Sequence, residues 1–458
     1  MSTRDGFFLA ASLAVAVSIG GCVGRATDAG WPAPLPLGAG YAAYRPPLEP
    51  SAPASAVSPD LEEPTGILSL RQALSLALMH NPGLRAFSWE VRALEARALQ
   101  DGLPANPEIE IEIENWGGTG ASGGLDETES TVQVSQLLEL AGKPSKRRQL
   151  ASLDRDLAGW DFESRRIDVF AETTKAFVDM LAAQERVRLN RELVRLAEQV
   201  RHAAAERVLA GRVSPIEETR ARVALAAQRI ELETAQRELE AARANLAASW
   251  SSRSPRFERV EGDLFATAAL PDAEELAARV SRNPEVARWS AEVEQRLAAV
   301  ALEQAGRIPD VTLSGGVRRL NESEETAFVG GFSVPVPIFD RNQGALLEAR
   351  YRLSKADEEK RAAVQRLSQS FALAYQGLAA AHARVTRLQE EVVPGAREAF
   401  DAVNEGFRQG KFDYLEALDA QRTFFEARSR YIEALSELHK AVAEVERLIA
   451  GPLGGNTE

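Results

Sequence analysis

From Ser145 to Ala210 the chain runs without a proline and with a single glycine, Gly159. At about 1.5 Å per residue an unbroken helix there is on the order of 100 Å long, far beyond the width of an ordinary globular core. Ile216 to Ser249 and Lys411 to Ala450 lack both proline and glycine. They are rich in Ala, Leu, Glu, Arg and Gln, with apolar residues three and four apart, as in Val223, Leu225, Ile230, Leu232, Leu239 and Leu246. Such helices suit antiparallel coiled-coil hairpins, because alanines let two backbones approach closely. Pro394-Gly395 interrupts the second-half helix and predicts a kink or break there.

The pattern comes twice. Asn81-Pro82 is followed, 25 residues past the proline, by Pro107-Glu108-Ile109, and Asn283-Pro284 is followed by Pro309-Asp310-Val311 at the same distance. Later, Gly211 to Glu217 parallels Gly410 to Glu416. The offset is 202 residues at the first landmark and 199 at the last, so the body reads as an internal duplication. Each half runs short helix, helix, strand pair, very long helix, turn, long helix. The expected divisions are 67–265 and 266–452, with 453–458 as a tail.

Between the helices the periodicity switches to two. Glu108 to Glu114 alternates Glu and Ile strictly over seven residues, which puts Ile on one face of a strand and Glu on the other. Thr131 to Gln136, Val311 to Ser314 and Phe328 to Val334 are its companions. The predicted strands are 106–116, 128–138, 309–319 and 326–336, each near the ~9–11 residues a tilted transmembrane strand needs. Two isolated hairpins are not stable alone, and an open sheet has edges that lipid does not tolerate. Copies from several chains could close it into a barrel with a wet, acidic lumen. The alternative is a soluble antiparallel sheet packed under helices.

The N-terminus has the three parts of an export signal over 1–21: Arg4, an uncharged apolar run from Phe7 to Ile19, then Gly20-Gly21-Cys22. Ile19 to Cys22 also resembles a bacterial lipobox, which makes Cys22 the expected lipid anchor; a plain signal cut elsewhere is the other reading. Residues 22–66 carry nine prolines between Trp31 and Pro64 and read as an extended linker, with ordered structure from about Leu68.

Asp plus Glu number 67 against 54 Lys plus Arg, and this net charge of −13 argues against a nucleic-acid or anionic-lipid binder, which would need a basic excess to neutralise phosphates. One cysteine and four histidines exclude a disulfide framework or a multi-cysteine metal cluster, and no cofactor is expected. His80, His202, His382 and His439 are far apart and read as surface helix residues. Gly142 to Arg148 lacks the upstream glycine and the Lys-Ser/Thr pair of a phosphate loop, and its positive charge is expected at the membrane interface below the barrel. No apolar run after the N-terminus is long enough to cross a bilayer as a helix, which excludes an inner-membrane pump. No nucleophile motif points to an enzyme.

Two hairpins set in two duplicated long-helix units resemble the TolC family of outer-membrane efflux ducts, over roughly Leu68 to Leu448. Leu103 to Glu110, Glu114 to Gly118 and Gln136 to Lys143 are similar to its heavy-metal, CzcC-like branch. So are Pro309 to Val311, Gly316 to Arg319 and Pro335 to Gly344. Gly406 to Gly410 with Leu415 to Gln421 is similar to the tip shared across the wider family. The resemblance implies a mainly α fold with a small β part: a homotrimeric α-helical tunnel and a shared twelve-stranded outer-membrane barrel, four strands from each chain. It also implies a tip docked on a periplasmic adaptor, which links the duct to a proton-driven inner-membrane pump of the RND type.

On that resemblance Glu416 and Asp419 match the tip constriction, and a trimer would repeat them as acidic rings; alone they read as two surface acids on one helix face. Glu108, Glu110, Glu112 and Glu114 would line the barrel. Gly211, Val213, Ser214, Gly410 and Phe412 mark the tips expected to meet the adaptor, although a helix-ending glycine needs only a left-handed backbone. The chain departs from the family at Ala141-Gly142-Lys143-Pro144, where Gly-Gly-Lys-Arg is common. It also has Phe407 where tyrosine is frequent and Phe412 where TolC has arginine, so other contacts must latch the tip. The expected role is export of heavy-metal cations; a duct for drugs or other small organic molecules, or a poreless coiled-coil adaptor, are the rivals.

Overall fold

The computed structural model describes residues 31–47, 63–117, 119–120, 126–211, 213–409 and 411–454. The signal segment, Cys22 and Gly410 lie outside the described residues. The first repeat runs β1 (Thr65–Ser69), α1 (Leu70–His80), α2 (Pro82–Asp101), β2 (Glu108–Glu114), β3 (Glu129–Leu138), α3 (Lys143–Leu209) and α4 (Pro215–Ala248). After β4 (Arg256–Glu261) the second repeat runs α5 (Ala273–Arg279), α6 (Pro284–Gly306), β5 (Val311–Leu320), β6 (Glu325–Ser333) and α7 (Gln343–Arg387). A π turn over Leu388–Val392 then leads into α8 (Val393–Arg408) and α9 (Tyr414–Ile449).

The duplicated order is therefore present, and α3 is a single helix of 67 residues. Asn81 and Asn283 begin the matched helices α2 and α6 in the same way: each side chain accepts a backbone N–H of the first turn, and a proline follows at the first helical position. The repeated Asn-Pro is thus a helix start. At Pro394 the chain kinks without breaking. The wider π turn just before it accommodates the ring and the missing N–H, and helix resumes through Arg408.

One apolar core holds the two repeats together. α3 packs against α4, α6 and α9, and α7 packs against α6 and α9. Phe177, Met180, Trp250, Phe257, Phe371, Leu378, Leu435 and Val445 meet in it. Two features of this region escaped sequence reading. β1 and β4 form a two-stranded parallel sheet that puts Leu68, Phe257 and Val260 into the core, so order begins before Leu68. Each strand is only five or six residues long, and β4 has no clean alternation to reveal it.

The proline-rich segment is a second correction. Residues 31–47 do not hang free; they lie along α3. Trp31 meets Phe162 edge-on at 4.6 Å, and Leu37, 4% exposed, packs with Ile167 and Ala450. Extended backbone leaves N–H and C=O groups unpaired, and a buried ion pair on α3 takes them up. Glu163 accepts from the Leu35 N–H at 2.7 Å, and Arg166 donates to the carbonyls of Leu37 at 2.9 Å and Leu35 at 3.2 Å. The two side chains bind each other at 2.6 and 2.7 Å. Those extra hydrogen bonds offset much of the cost of burying the two charges, although one guanidinium nitrogen of Arg166 stays without a partner among the described residues.

Candidate channel lining and hairpin tips

The four predicted strands form one antiparallel sheet in the order β2-β3-β5-β6. They run slightly shorter than expected, at Glu108–Glu114, Glu129–Leu138, Val311–Leu320 and Glu325–Ser333, because Pro107, Pro309 and Pro335 flank the ladders. Register decides the faces. Ile111 pairs with Val132, Val132 with Val317 and Val317 with Phe328, giving one apolar rung; Leu313 and Phe332 make another. This face is bare. Ile109 is 73% exposed and Phe328 90%, and the sheet is not packed beneath any helix.

The opposite face is polar. Glu110 sits opposite Gln133 and accepts its amide at 2.6 Å. Arg318, which sequence reading did not single out for this face, reaches Glu129 at 3.0 Å, Glu114 at 3.4 Å and the Thr131 hydroxyl at 2.9 Å. Its signal was the two-residue alternation of β5, which puts Arg318 on the same side as Thr131. Glu114 is thereby paired near the hairpin loops, while Glu108 and Glu112 have no ion pair among the described residues. The edges of the sheet, β2 and β6, have no strand partner among the described residues.

At the helical end of the sheet, Lys143 is committed rather than free for a membrane surface. It donates to Asp310 and to the Ile308 carbonyl, each at 2.7 Å, while Asp310 also accepts the Leu140 N–H at 2.9 Å. Arg147 forks onto Glu139 and donates to the Asp101 carbonyl. The Glu139-to-Lys143 and Pro309-Asp310 motifs are therefore one staple, joining the two repeats where strand turns into helix. Burial pushes the Asp310 carboxyl up, but Lys143 and the Leu140 N–H outweigh it and hold it below its ordinary value.

At the far end, α3 closes on Gly211, whose φ of +67° is the left-handed conformation a helix end favours. Ser214 then caps α4 by accepting the Ile216 N–H. Gly211 and Ser214 are exposed and Val213 is half-buried. On the second tip Phe412 folds over Gly406 yet stays 39% exposed. Glu416 has a local job: its carboxylate accepts the Asp413 N–H, while Asp413 accepts the Glu416 N–H, each at 2.9 Å. This is a capping box, foreshadowed by Asp three residues before Glu. Asp419 is exposed and has no ion pair among the described residues.

The two tips are held together inside one chain. Phe407 and Tyr414 are buried against Ala204 and Ala221, and the Arg207 guanidinium lies 4.9 Å from the centre of the Phe407 ring. Phe407, one of the two departures at the tip, is therefore packed into this cluster, while Phe412 lies outside it. Burial, with the Glu217 carboxylate adding to it, pushes the Tyr414 phenol up.

Among the described residues no three His, Cys, Asp or Glu side chains are placed to hold a metal ion, and no helix is long and apolar enough to cross a membrane. The Outer membrane efflux protein family matches residues 73–252 and 278–451, one segment in each repeat. The cobalt-zinc-cadmium resistance protein CzcC of Cupriavidus metallidurans is 37% identical over 84% of this chain and 91% of its own length. The nickel-cobalt-cadmium resistance protein NccC of Alcaligenes xylosoxydans xylosoxydans is 27% identical over 64% of this chain and 66% of its own. Among solved structures, the CmeC outer membrane channel of Campylobacter jejuni covers 91% of this chain and 97% of its own with a TM-score of 0.70, at 15% identity. Matched in both repeats, with the bare sheet at one end and paired hairpin tips at the other, the chain belongs to the outer membrane efflux protein family.

Proposed function

We propose that the protein is the outer-membrane channel of a tripartite, proton-driven efflux system that carries heavy-metal cations to the exterior, and that it works as a homotrimer. One observation carries this reading: a four-stranded sheet with a bare apolar face, an acidic opposite face and two open edges. In lipid such a sheet needs closure, and three copies supply twelve strands, an even number within the range of outer-membrane barrels. The metal cargo is supported by the resistance proteins CzcC and NccC, to which the chain is similar. Unpaired Glu108 and Glu112 would bias the wet lumen toward cations.

The function is passage, with no catalytic chemistry. Asp419 is the stronger candidate for an acidic ring at the tip, since Glu416 also caps its own helix. The tips around Gly211, Val213, Ser214, Gly410 and Phe412 would meet a periplasmic adaptor that links the duct to an RND-type pump, and Cys22 would carry the lipid.

Reconstitution of the purified trimer in a planar bilayer tests the reading. The expected result is a cation-preferring conductance blocked by divalent cations added at the helical end. Asp419→Asn weakens that block, while Glu416→Gln separates charge from capping. Trimeric protein that never conducts would favour a poreless scaffold. In cells, deletion that sensitises only to organic toxicants would move the cargo from metals to drugs. Cys22→Ser should abolish acylation and leave conductance.

A further inference from the structure

Beyond the end of the ladder at Ser333 the chain leaves β6 as a loop that turns at Pro337, where the Ile338 N–H donates to the Val336 carbonyl at 2.9 Å, and this loop carries further exposed apolar residues. Phe328 and Phe332 are followed by Val334, Val336 and Ile338, all exposed, and then by Phe339, 89% exposed. At the foot of this row lies a groove of about 540 Å³ between the end of α6 and the Pro335-to-Asn342 loop. Two guanidiniums line it. Arg307 is exposed and has no ion pair among the described residues. Arg341 is also exposed and donates to the Ile338 carbonyl at 3.2 and 3.3 Å, beside the apolar row.

The groove is firmly built. Asn342 adopts a left-handed backbone, φ +56°, which aims its amide at the Glu303 carbonyl at 2.8 Å and carboxylate at 2.6 Å. A Cβ on Gly306 would lie 2.6 Å from that amide, so glycine is what lets α6 and the loop meet. Asp340, the acid that lines the groove, is occupied with the Asn342 N–H at 2.9 Å.

We infer that this groove is a phospholipid headgroup site at the inner edge of the outer membrane. Arg307 and Arg341 take the phosphate, while Phe339, Ile338 and Val336 enter the acyl-chain boundary. A bare apolar row that ends in a ring and two guanidiniums has the amphipathic order of a membrane interface, and guanidinium matches phosphate in charge and geometry. The site rests on the barrel reading, because it adjoins the helical end of β6, whose apolar face the barrel would turn to lipid.

The test uses the full trimer in nanodiscs of phosphatidylcholine with a minor fraction of phosphatidylglycerol. Phosphatidylglycerol retained per chain is read by native mass spectrometry. At about 1 kcal/mol per arginine near anionic headgroups, the Arg307→Gln/Arg341→Gln double variant should retain it about tenfold or more weakly. Arg307→Lys/Arg341→Lys should keep most of it. A Phe339→Trp side chain should be quenched by lipids brominated along the acyl chain. Equal retention by the Gln variant, or an unquenched Phe339→Trp with Phe339→Cys cross-linking to a second copy, overturns the site while conductance persists. A wild-type trimer without conductance overturns the barrel reading and this site with it.

Discussion

α3 and its counterpart in the second repeat leave the sheet at matching positions, Lys143 and Gln343, and end at neighbouring tips, yet only α3 is continuous. The counterpart reaches Arg408, almost the same length, by way of the π turn before Pro394. The difference shows that length and packing against α9 are kept while local hydrogen bonding changes. A second contrast lies at equal depth along the helices. α3 buries Glu163 and Arg166 beneath the docked segment, whereas α7 has buried Ala363 and exposed Arg366. One repeat receives the N-terminal segment and the other has nothing to receive.

That contrast is easiest to break at Arg166. Arg166→Ala leaves the Glu163 carboxylate buried without its cation, a loss on the order of 3–5 kcal/mol. Protease attack within 31–47 and a lowered unfolding midpoint would report it. Arg366→Ala, in the matching place on α7, removes only a long surface contact to Glu285 and should change stability by less than about 0.5 kcal/mol. Similar losses from the two variants would mean that the docked segment does not distinguish the repeats.

The sheet offers the opposite expectation, that the repeats behave alike. Ile111→Arg in the first hairpin and Phe328→Arg in the second place a charge on the bare face, and each should cost roughly 2–4 kcal/mol in folding into bilayers. If one is silent, its hairpin does not face lipid. Gly395→Ala probes the kink itself. Beyond the helix's own backbone nothing lies within 4 Å of the added Cβ, so a gain of about 1 kcal/mol in stability, read as a raised unfolding midpoint, is expected from helix propensity alone.

Acid probes a contact that joins the repeats. Glu444 on α9 joins the repeats by contacting Lys175 on α3 at 2.5 Å and Arg447 at 2.7 Å. Burial raises its pKa, but those hydrogen bonds win and lower it to about 2 from an ordinary 4.5. A depressed carboxylate stabilises fully above its unfolded value, so this contribution fades as pH falls from about 4.5 toward 2. Asp168, raised by burial despite Arg447, acts in the opposite sense. A flatter midpoint-versus-pH curve for Glu444→Gln in that window is the expected outcome; an unchanged curve would remove this link between the repeats.

Most of the architecture was legible because its signals are periodic and local. The Ile/Glu alternation placed β2, the matched Asn-Pro pairs placed α2 and α6, and proline-free stretches placed α3, α4 and α9. The misses share a different cause. The β1–β4 pair, the Glu163–Arg166 clasp and the Lys143–Asp310 staple join residues 128 to 192 positions apart, and none of the partners carries a local pattern that names the other. Phe407 and Phe412 could be flagged as departures, but the packing of Phe407 under Arg207 needed coordinates.

By itself the sequence determined which segments are helix and strand, that the body is built twice, and which side of each strand is greasy, because dihedral preference and side-chain periodicity act between near neighbours. Tertiary structure alone decided that residues 31–47 dock, that Lys143 is already engaged, and that Asp419 and Arg307 have no ion pair among the described residues. Those outcomes depend on which donors and acceptors the fold brings together across more than a hundred residues of chain, and no local pattern encodes that meeting.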